Sequence, residues 1–133
     1  MLFFAFFYFR MSTSTRNVIA WILQGLLALA FTASGINKFL HLTDTITGFS
    51  KLGLPTWFAY LIAGGEVLGG IGLLVPRFLR LAAIGLAVIM VGAVFMHATK
   101  IPGGLFPKGS PALLLLILLG FLVRLRRPAS LSA

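Results

Sequence analysis

The sequence predicts an all-α fold: an integral membrane four-helix bundle with antiparallel, up-down helices and both termini in the cytoplasm. Of its 133 residues, 59% are hydrophobic and only 10% are charged, whereas soluble domains carry about 25% charged residues. The apolar residues form four runs that approach the roughly 20 residues a membrane-spanning helix needs. Lys and Arg give a net charge of +9. They stand near the ends of these runs, where they contact lipid headgroups, so nucleic acid is not an expected partner.

The four predicted spans are separated by prolines, glycines and basic residues. The first runs from Val18 to Phe39, the second from Pro55 to Val75 and the third from Phe78 to Thr99. The fourth, Pro111–Leu125, has about 15 residues and covers roughly 22 Å. Either this helix begins earlier, near Leu105, or the bilayer is locally thinned around it.

The distribution of basic residues predicts the orientation of the spans. Seven arginines fall on the side of the two termini: Arg10, Arg16, Arg77, Arg80, Arg124, Arg126 and Arg127. Four lysines and one acid fall on the other side: Lys38, Lys51, Lys100, Lys108 and Asp44. The excess of positive charge on one side predicts that both termini lie in the cytoplasm. A re-entrant fourth segment would instead place the C-terminus outside.

The spans form one predicted membrane domain over residues 17–127, followed by a tail at 128–133. Residues 1–16 form an N-terminal extension whose first ten residues are apolar but too short to span and unlike a signal peptide. Met11 is an alternative start, and an aromatic stub in the membrane interface is the other interpretation. Residues 101–110 contain three glycines and two prolines and predict an irregular loop.

Glu66 is the strongest candidate for a functional residue. Placing an ionised acid near the middle of a membrane span costs free energy, so such a residue is by default a functional candidate. Ala63, Gly69 and Gly70 share its helix face, and Gly65 pairs with Gly69 in a small-xxx-small pattern. Small residues let another helix approach closely, so Glu66 should face the bundle. Burial favours the neutral carboxyl, which could donate a hydrogen bond. Helix–helix adhesion alone is the competing interpretation.

A polar stripe marks the outer end of the first span. Ser34, Asn37, Lys38 and His41 follow Ala30 at helical spacing and share one face. The stripe predicts either the lining of an outward-facing pocket or ordinary snorkelling of Lys38 at the interface. Because Lys38 lies about 15 Å of helical rise from the middle of the membrane, a link to Glu66 through water or through Ser34 and Asn37 is expected, and a direct salt bridge is not.

The third span carries His97 and Lys100 near its outer end, where they could converge with Lys38 and His41. Two histidines can ligate haem or a metal, but no spacing motif supports this, and no metal site is predicted. Gly85 and Gly92, seven residues apart, predict a close-packing face. The sequence contains no cysteine, which excludes dithiol chemistry and thiolate metal ligands within the chain.

The order of these features resembles the DoxX-like (DoxX/DoxD) family of small four-helix bacterial membrane proteins. The motifs that carry the resemblance are SGINKF at 34–39, GGEVLGGIGLLVP at 64–76 and MHATK at 96–100. The resemblance covers residues 17–126. It implies a multi-pass four-helix bundle in the bacterial inner membrane, with Glu66 and Lys38 as characteristic polar positions. Some relatives are membrane subunits of thiosulfate:quinone oxidoreductase, and others are membrane partners in thiol and oxidative-stress systems.

Three functions follow as alternatives. The resemblance favours an accessory subunit of a quinone-linked membrane redox system that lacks catalysis of its own, docks an oxidoreductase partner or binds quinone beside Glu66 or His97. No cofactor is evident from the residues themselves. A small proton-coupled transporter, working as a homo-oligomer, is the second alternative. A structural or lipid-binding bundle, in which Glu66 only joins helices, is the third.

Overall fold

The computed structural model describes residues 13–101 and 109–126, and these residues form helices and turns without a strand. The described helices are α1 (Thr13–Leu40), α2 (Leu42–Lys51), α3 (Thr56–Gly72), α4 (Leu79–Thr99) and α5 (Ser110–Leu125). The all-α prediction is therefore confirmed. Predictions about residues 1–12, about residues 102–108 and about the tail from residue 127 onward lie outside the described residues.

The bounds of the long helices differ from the predicted spans by a few residues. Helix α1 begins at Thr13, inside the predicted N-terminal extension and five residues before the predicted start of the first span at Val18. Pro55 is the N-cap of α3, which suits a residue without a backbone N–H to donate. Helix α3 ends at Gly72, three residues before the predicted end, and turns lead to Leu79. Helix α5 begins at Ser110, and the alternative start near Leu105 falls outside the described residues.

The four longer helices pack in a closed order: α1 contacts α3 and α5, and α4 contacts the same two helices. Small and branched side chains fill the space between them, because Leu and Ala project from successive turns of each helix. The largest fully buried side chains are Phe31, Leu27, Leu73, Leu86, Leu119, Leu122 and Gln24. A buried glutamine in this set marks a polar contact inside the apolar core.

Helix α2 was not predicted, although its residues carry a helical pattern. Leu42, Ile46 and Phe49 are half-buried and recur with the spacing of one helix face. The ring of Phe49 packs against Phe58 at the start of α3, with centroids 6.1 Å apart. Gly53 then takes a φ of +82°, which glycine adopts without steric cost. The segment between α1 and α3 is thus a short amphipathic helix closed by a tight turn.

The outer surface of the helices is apolar, as the lipid-facing surface of a membrane protein is. On α4, one stripe of large apolar side chains is more than half exposed: Leu81, Ile84, Val88, Val91 and Phe95. Among the described residues, α1 (residues 14–40) and α4 are long and apolar enough to cross a membrane, and α5 is a shorter apolar helix.

Candidate functional site

The candidate site forms where glycines let α1 and α3 approach closely. A Cβ atom added to Gly35 on α1 would lie 2.6 Å from the carbonyl oxygen of Ala63 on α3. One added to Gly70 on α3 would lie 2.8 Å from the backbone nitrogen of Thr32. Real Cβ atoms do not come this close, so each position requires glycine. Gly70 was predicted as a helix-packing residue, whereas Gly35 was missed even though it lies within the SGINKF motif.

Lys38 and Glu66 form a direct salt bridge across the α1–α3 contact. The Lys38 Nζ donates hydrogen bonds to both carboxylate oxygens of Glu66 at 3.0 Å and to the Ser34 hydroxyl at 2.9 Å. The Glu66 side chain is 3% exposed, whereas that of Lys38 is 25% exposed. Glu66 therefore faces the bundle as predicted, but the expectation that it would not pair directly with Lys38 was wrong.

The height of α3 relative to α1 explains why the direct pair forms. The Gly35–Ala63 contact places residue 35 level with the turn that precedes Glu66. Lys38 lies three residues beyond Gly35, which is only about 4.5 Å of helical rise. Helical side chains also lean toward the N-terminus of their helix, so the long lysine stem bends back toward Glu66. Measuring from the predicted middle of the membrane overestimated the separation.

The three side chains of Ser34, Lys38 and Glu66 make a compact polar site in apolar surroundings. The ammonium has three protons, and the Ser34 hydroxyl and the two oxygens of Glu66 accept hydrogen bonds from it. The Ser34 hydroxyl accepts from Lys38, and no acceptor for its own proton is present among the described residues. The site thus offers a hydroxyl donor beside a cation whose charge is balanced by a buried carboxylate.

Asn37 and His41 lie on the same helix but do not join this site. Both are exposed, and the His41 ring Nδ1 is 3.1 Å from the Asn37 carbonyl oxygen. The Thr45 hydroxyl, on α2, donates to the carbonyl oxygens of Lys38 at 3.2 Å and of His41 at 3.0 Å. The predicted polar stripe therefore divides. Ser34 and Lys38 turn toward α3, while Asn37 and His41 stay at the surface where α2 joins α1.

His97 and Lys100 are at the end of α4 and also lie apart from the ion pair. The ring of His97 is half-buried, and its Nδ1 is 2.8 Å from the carbonyl oxygen of Ala93, one turn earlier. Lys100 is exposed. No group of three His, Asp or Glu residues able to hold a metal ion occurs in the described parts of the chain. The contacts of both histidines are to their own helix backbone.

The predicted packing glycines fall into two classes. A Cβ atom added to Gly65 would lie 3.1 Å from the Ile89 side chain, and one added to Gly69 would lie 2.7 Å from the Leu86 side chain. These two glycines therefore allow α4 to pack closely against α3. At Gly85 and Gly92 an added Cβ would meet no atom of the described chain within 4 Å. The prediction of a close-packing face is therefore wrong for Gly85 and Gly92 within one chain. Gly85 instead lines an open apolar groove of about 520 Å³ between α3 and α4.

A second polar cluster, at the opposite end of α1, was missed by sequence reasoning. Gln24 donates to the carbonyl oxygen of Leu73, just beyond α3, and accepts a 3.2 Å hydrogen bond from Arg126 Nε. Arg126 Nη1 donates to Asn17 Oδ1 at 2.7 Å, and the guanidinium stacks 4.9 Å from the Trp21 ring centroid. The position of Gln24 inside an apolar run was the available signal.

Comparison with known proteins identifies the family. Over 81 residues the chain is 30% identical to a Bacillus subtilis (strain 168) protein named putative oxidoreductase CatD. The match covers 61% of this chain and 60% of that relative. No solved structure matches the chain. The model of the DoxX-like family matches residues 22–121, a range that includes Ser34, Lys38 and Glu66. The chain therefore belongs to the DoxX-like family of membrane proteins.

Proposed function

We propose that this protein is a multi-pass membrane subunit of a quinone-linked redox system and works with an oxidoreductase partner. The observation that carries the proposal is the Lys38–Glu66 pair, in which the Glu66 side chain is enclosed and the Lys38 side chain is 25% exposed. A buried ion pair is weak as a stabilising device, because desolvation offsets most of the attraction. A pair that leaves part of its cation exposed is better suited to binding a ligand.

The chemistry of the site fits the carbonyl oxygen of a quinone. Such an oxygen only accepts hydrogen bonds, and the Ser34 hydroxyl, which accepts from Lys38, still has its own proton to donate. Their apolar surroundings on α1 and α3 suit a lipophilic ring. The Ser34 hydroxyl would donate to the carbonyl, and the Lys38 ammonium, whose three protons already bond Ser34 and Glu66, would attract that oxygen by its positive charge. A quinone, when bound, would supply the electron-accepting chemistry that the side chains themselves do not provide.

The electrons would come from a partner. The 133-residue sequence contains no cysteine, so the chain has no thiol of its own to oxidise or reduce. The relative from Bacillus subtilis carries the word oxidoreductase in its name, which favours a link to redox chemistry. Because the match spans 60% of that relative, we transfer only this general link, and we place catalysis in the partner.

Proton-coupled transport by a homo-oligomer is the less well supported function. A carrier of this kind needs an acid that substrate and protons reach in turn. Here both oxygens of Glu66 are occupied by Lys38, and the side chain is 3% exposed. A purely structural bundle is the remaining alternative, and it requires the pair only as a link between α1 and α3.

The proposed arrangement in the membrane is an antiparallel four-helix bundle of α1, α3, α4 and α5. Both termini lie in the cytoplasm, and the membrane is the bacterial inner membrane. Supporting this, arginines are the charged residues at the end where α1 begins, and the described lysines and Asp44 lie toward the opposite end. The amphipathic α2 would then lie at the outer membrane–water interface with its apolar face inward.

A charge-swap experiment separates the ligand site from the structural link. The wild type and the double variant Lys38→Glu/Glu66→Lys are purified in mild detergent, and bound proteins and lipophilic molecules are identified by mass spectrometry. The swap keeps an ion pair between α1 and α3 but moves the ammonium from the exposed to the buried position. We expect the wild type to retain a stoichiometric oxidoreductase and quinone, and the swapped protein to lose the quinone.

The thermal unfolding midpoint of both proteins is the control for folding. If the swapped protein is as stable as the wild type and retains the same quinone, the pair is only a link between helices. A wild-type chain that carries neither a partner nor quinone would contradict the proposal and leave transport in liposomes as the next assay. Ser34→Ala is the milder variant. It should weaken quinone retention without removing the ion pair.

A further inference from the structure

Arg126 is held by neutral groups alone. Its Nε and Nη1 donate to the side-chain oxygens of Gln24 and Asn17, and the Trp21 ring covers one face of the guanidinium. Its Nη2 is enclosed and has no hydrogen-bond partner among the described residues. A guanidinium has five N–H donors in a planar fork that matches carboxylate and phosphate oxygens. The cluster therefore orients an arginine without neutralising it.

The rest of the chain does not supply the missing anion. The sequence has only two acidic residues, Asp44 and Glu66. Glu66 is bonded to Lys38 near the C-terminal end of α1, away from Asn17 and Gln24, and Asp44 lies on α2, beyond that end of α1. The charged residues described at the end where α1 begins are all arginines: Arg16, Arg77, Arg80, Arg124 and Arg126. We call these five residues the arginine end.

Desolvation acts on Arg126 in the direction expected for a cation without a counter-ion. Partial burial lowers the pKa of its guanidinium below the ordinary value. The residue as a whole is only half-buried, so a ligand can approach the part of Arg126 outside the enclosed Nη2 from the membrane surface. The neighbouring side chains on α1 are apolar and largely exposed, among them Val18, Trp21 and Ile22. They provide a surface for acyl chains directly beside the guanidinium.

We propose that Arg126, held by Asn17, Trp21 and Gln24, binds the phosphate of an anionic phospholipid. The headgroup phosphate would accept hydrogen bonds from the guanidinium, and its acyl chains would lie along the exposed apolar face of α1. Basic pockets between membrane helices on the cytoplasmic side are suited to this chemistry. A free phosphate offers the same oxygens but gains nothing from the apolar surface, so the lipid is the favoured source.

The test measures lipid affinity in detergent micelles by native mass spectrometry. Phosphatidylglycerol is titrated into the wild type, Arg126→Gln and Arg80→Gln, with phosphatidylcholine and inorganic phosphate as comparison ligands. Arg80 is exposed at the same end of the bundle, so its variant removes an equal charge outside the cluster. We expect Arg126→Gln to bind phosphatidylglycerol about ten- to a hundredfold more weakly, as for the loss of a charged hydrogen bond. Arg80→Gln should change the affinity less than about threefold.

Three outcomes would overturn the proposal. These are equal losses in Arg126→Gln and Arg80→Gln, a wild type that does not prefer phosphatidylglycerol to phosphatidylcholine, and binding of inorganic phosphate as tight as that of the lipid. Arg126→Lys is the second variant if Arg126→Gln does not fold. It keeps the charge but loses the planar fork. The proposal requires Arg126→Lys to bind phosphatidylglycerol measurably, but more weakly than the wild type and Arg80→Gln do.

Discussion

Removing Lys38 should destabilise the protein more than removing Glu66, because the two partners differ in exposure. The Glu66 side chain is 3% exposed and that of Lys38 is 25% exposed. Without Lys38, the carboxylate stays enclosed between α1 and α3, with no other cation bonded to it in the described chain. Without Glu66, the lysine stem can extend and carry its ammonium toward water. The penalty for an unpaired charge therefore falls mainly on the lysine variant.

The magnitudes follow from the same geometry. Stranding one member of a buried ion pair costs about 3–5 kcal/mol. We expect Lys38→Met to cost about 3 kcal/mol, at the lower end, since the stranded carboxyl can take up a proton and avoid its charge. Glu66→Met should cost about 1 kcal/mol, because snorkelling is available. The double variant should lie within about 1 kcal/mol of the wild type, since apolar residues of similar volume often replace a buried pair without loss.

The assay is equilibrium unfolding in mixed detergent micelles, monitored by circular dichroism, on all four proteins of the double-mutant cycle. The free energies above give a coupling of about 3–5 kcal/mol between the two positions. Equal losses in the two single variants, with a double variant that shows their sum, would refute the reasoning. Such a result would mean that water solvates both members of the pair, and that the different burial of Lys38 and Glu66 does not affect the free energy of unfolding.

Two further predictions concern packing and topology. Gly70→Ala should lower the free energy of unfolding by about 1–3 kcal/mol, because the new methyl group would lie 2.8 Å from the Thr32 backbone nitrogen. Gly92→Ala, in open space, should be neutral or stabilising by up to about 1 kcal/mol, and a loss at both positions in thermal unfolding would contradict this. Because the chain has no cysteine, Ser50→Cys should react with an impermeant thiol reagent in intact cells, and Ser14→Cys only after permeabilisation. Reaction of Ser14→Cys in intact cells would reverse the proposed orientation.

Residue types and local spacing predicted much of the helix order. Prolines and basic residues mark the ends of apolar runs, and the structure places α3, α4 and α5 within three residues of the predicted bounds at each end. The burial of Glu66 was also predictable, because small residues one turn away on each side identify a packed face. Both inferences use only contacts within one helix, where 3.6-residue periodicity applies directly.

Relations between helices were harder to predict. The Lys38–Glu66 bond depends on how far α3 is shifted along α1, and that shift is set by glycine contacts such as Gly35 against Ala63. Arg126 meets Gln24 across 102 residues of sequence, and no local pattern encodes such a contact. Helix α2 is different, since its apolar residues already recur with helical spacing, and its pattern was simply overlooked in the segment between two spans.

The order of Lys38 and Glu66 along the chain has a consequence for biosynthesis. Glu66 follows Lys38 by 28 residues, so α1 leaves the ribosome and reaches the membrane before its acidic partner does. A lysine near a helix end tolerates this interval because its stem reaches water. An unpaired carboxylate at the centre of α3 costs about 2.5–3.5 kcal/mol on insertion into the membrane. Glu66 enters after Lys38, so the ammonium that pairs with it is already in place. The nascent α1 can thus act as a docking template for α3, and we expect the pair of α1 and α3 to assemble before α4 and α5 join it.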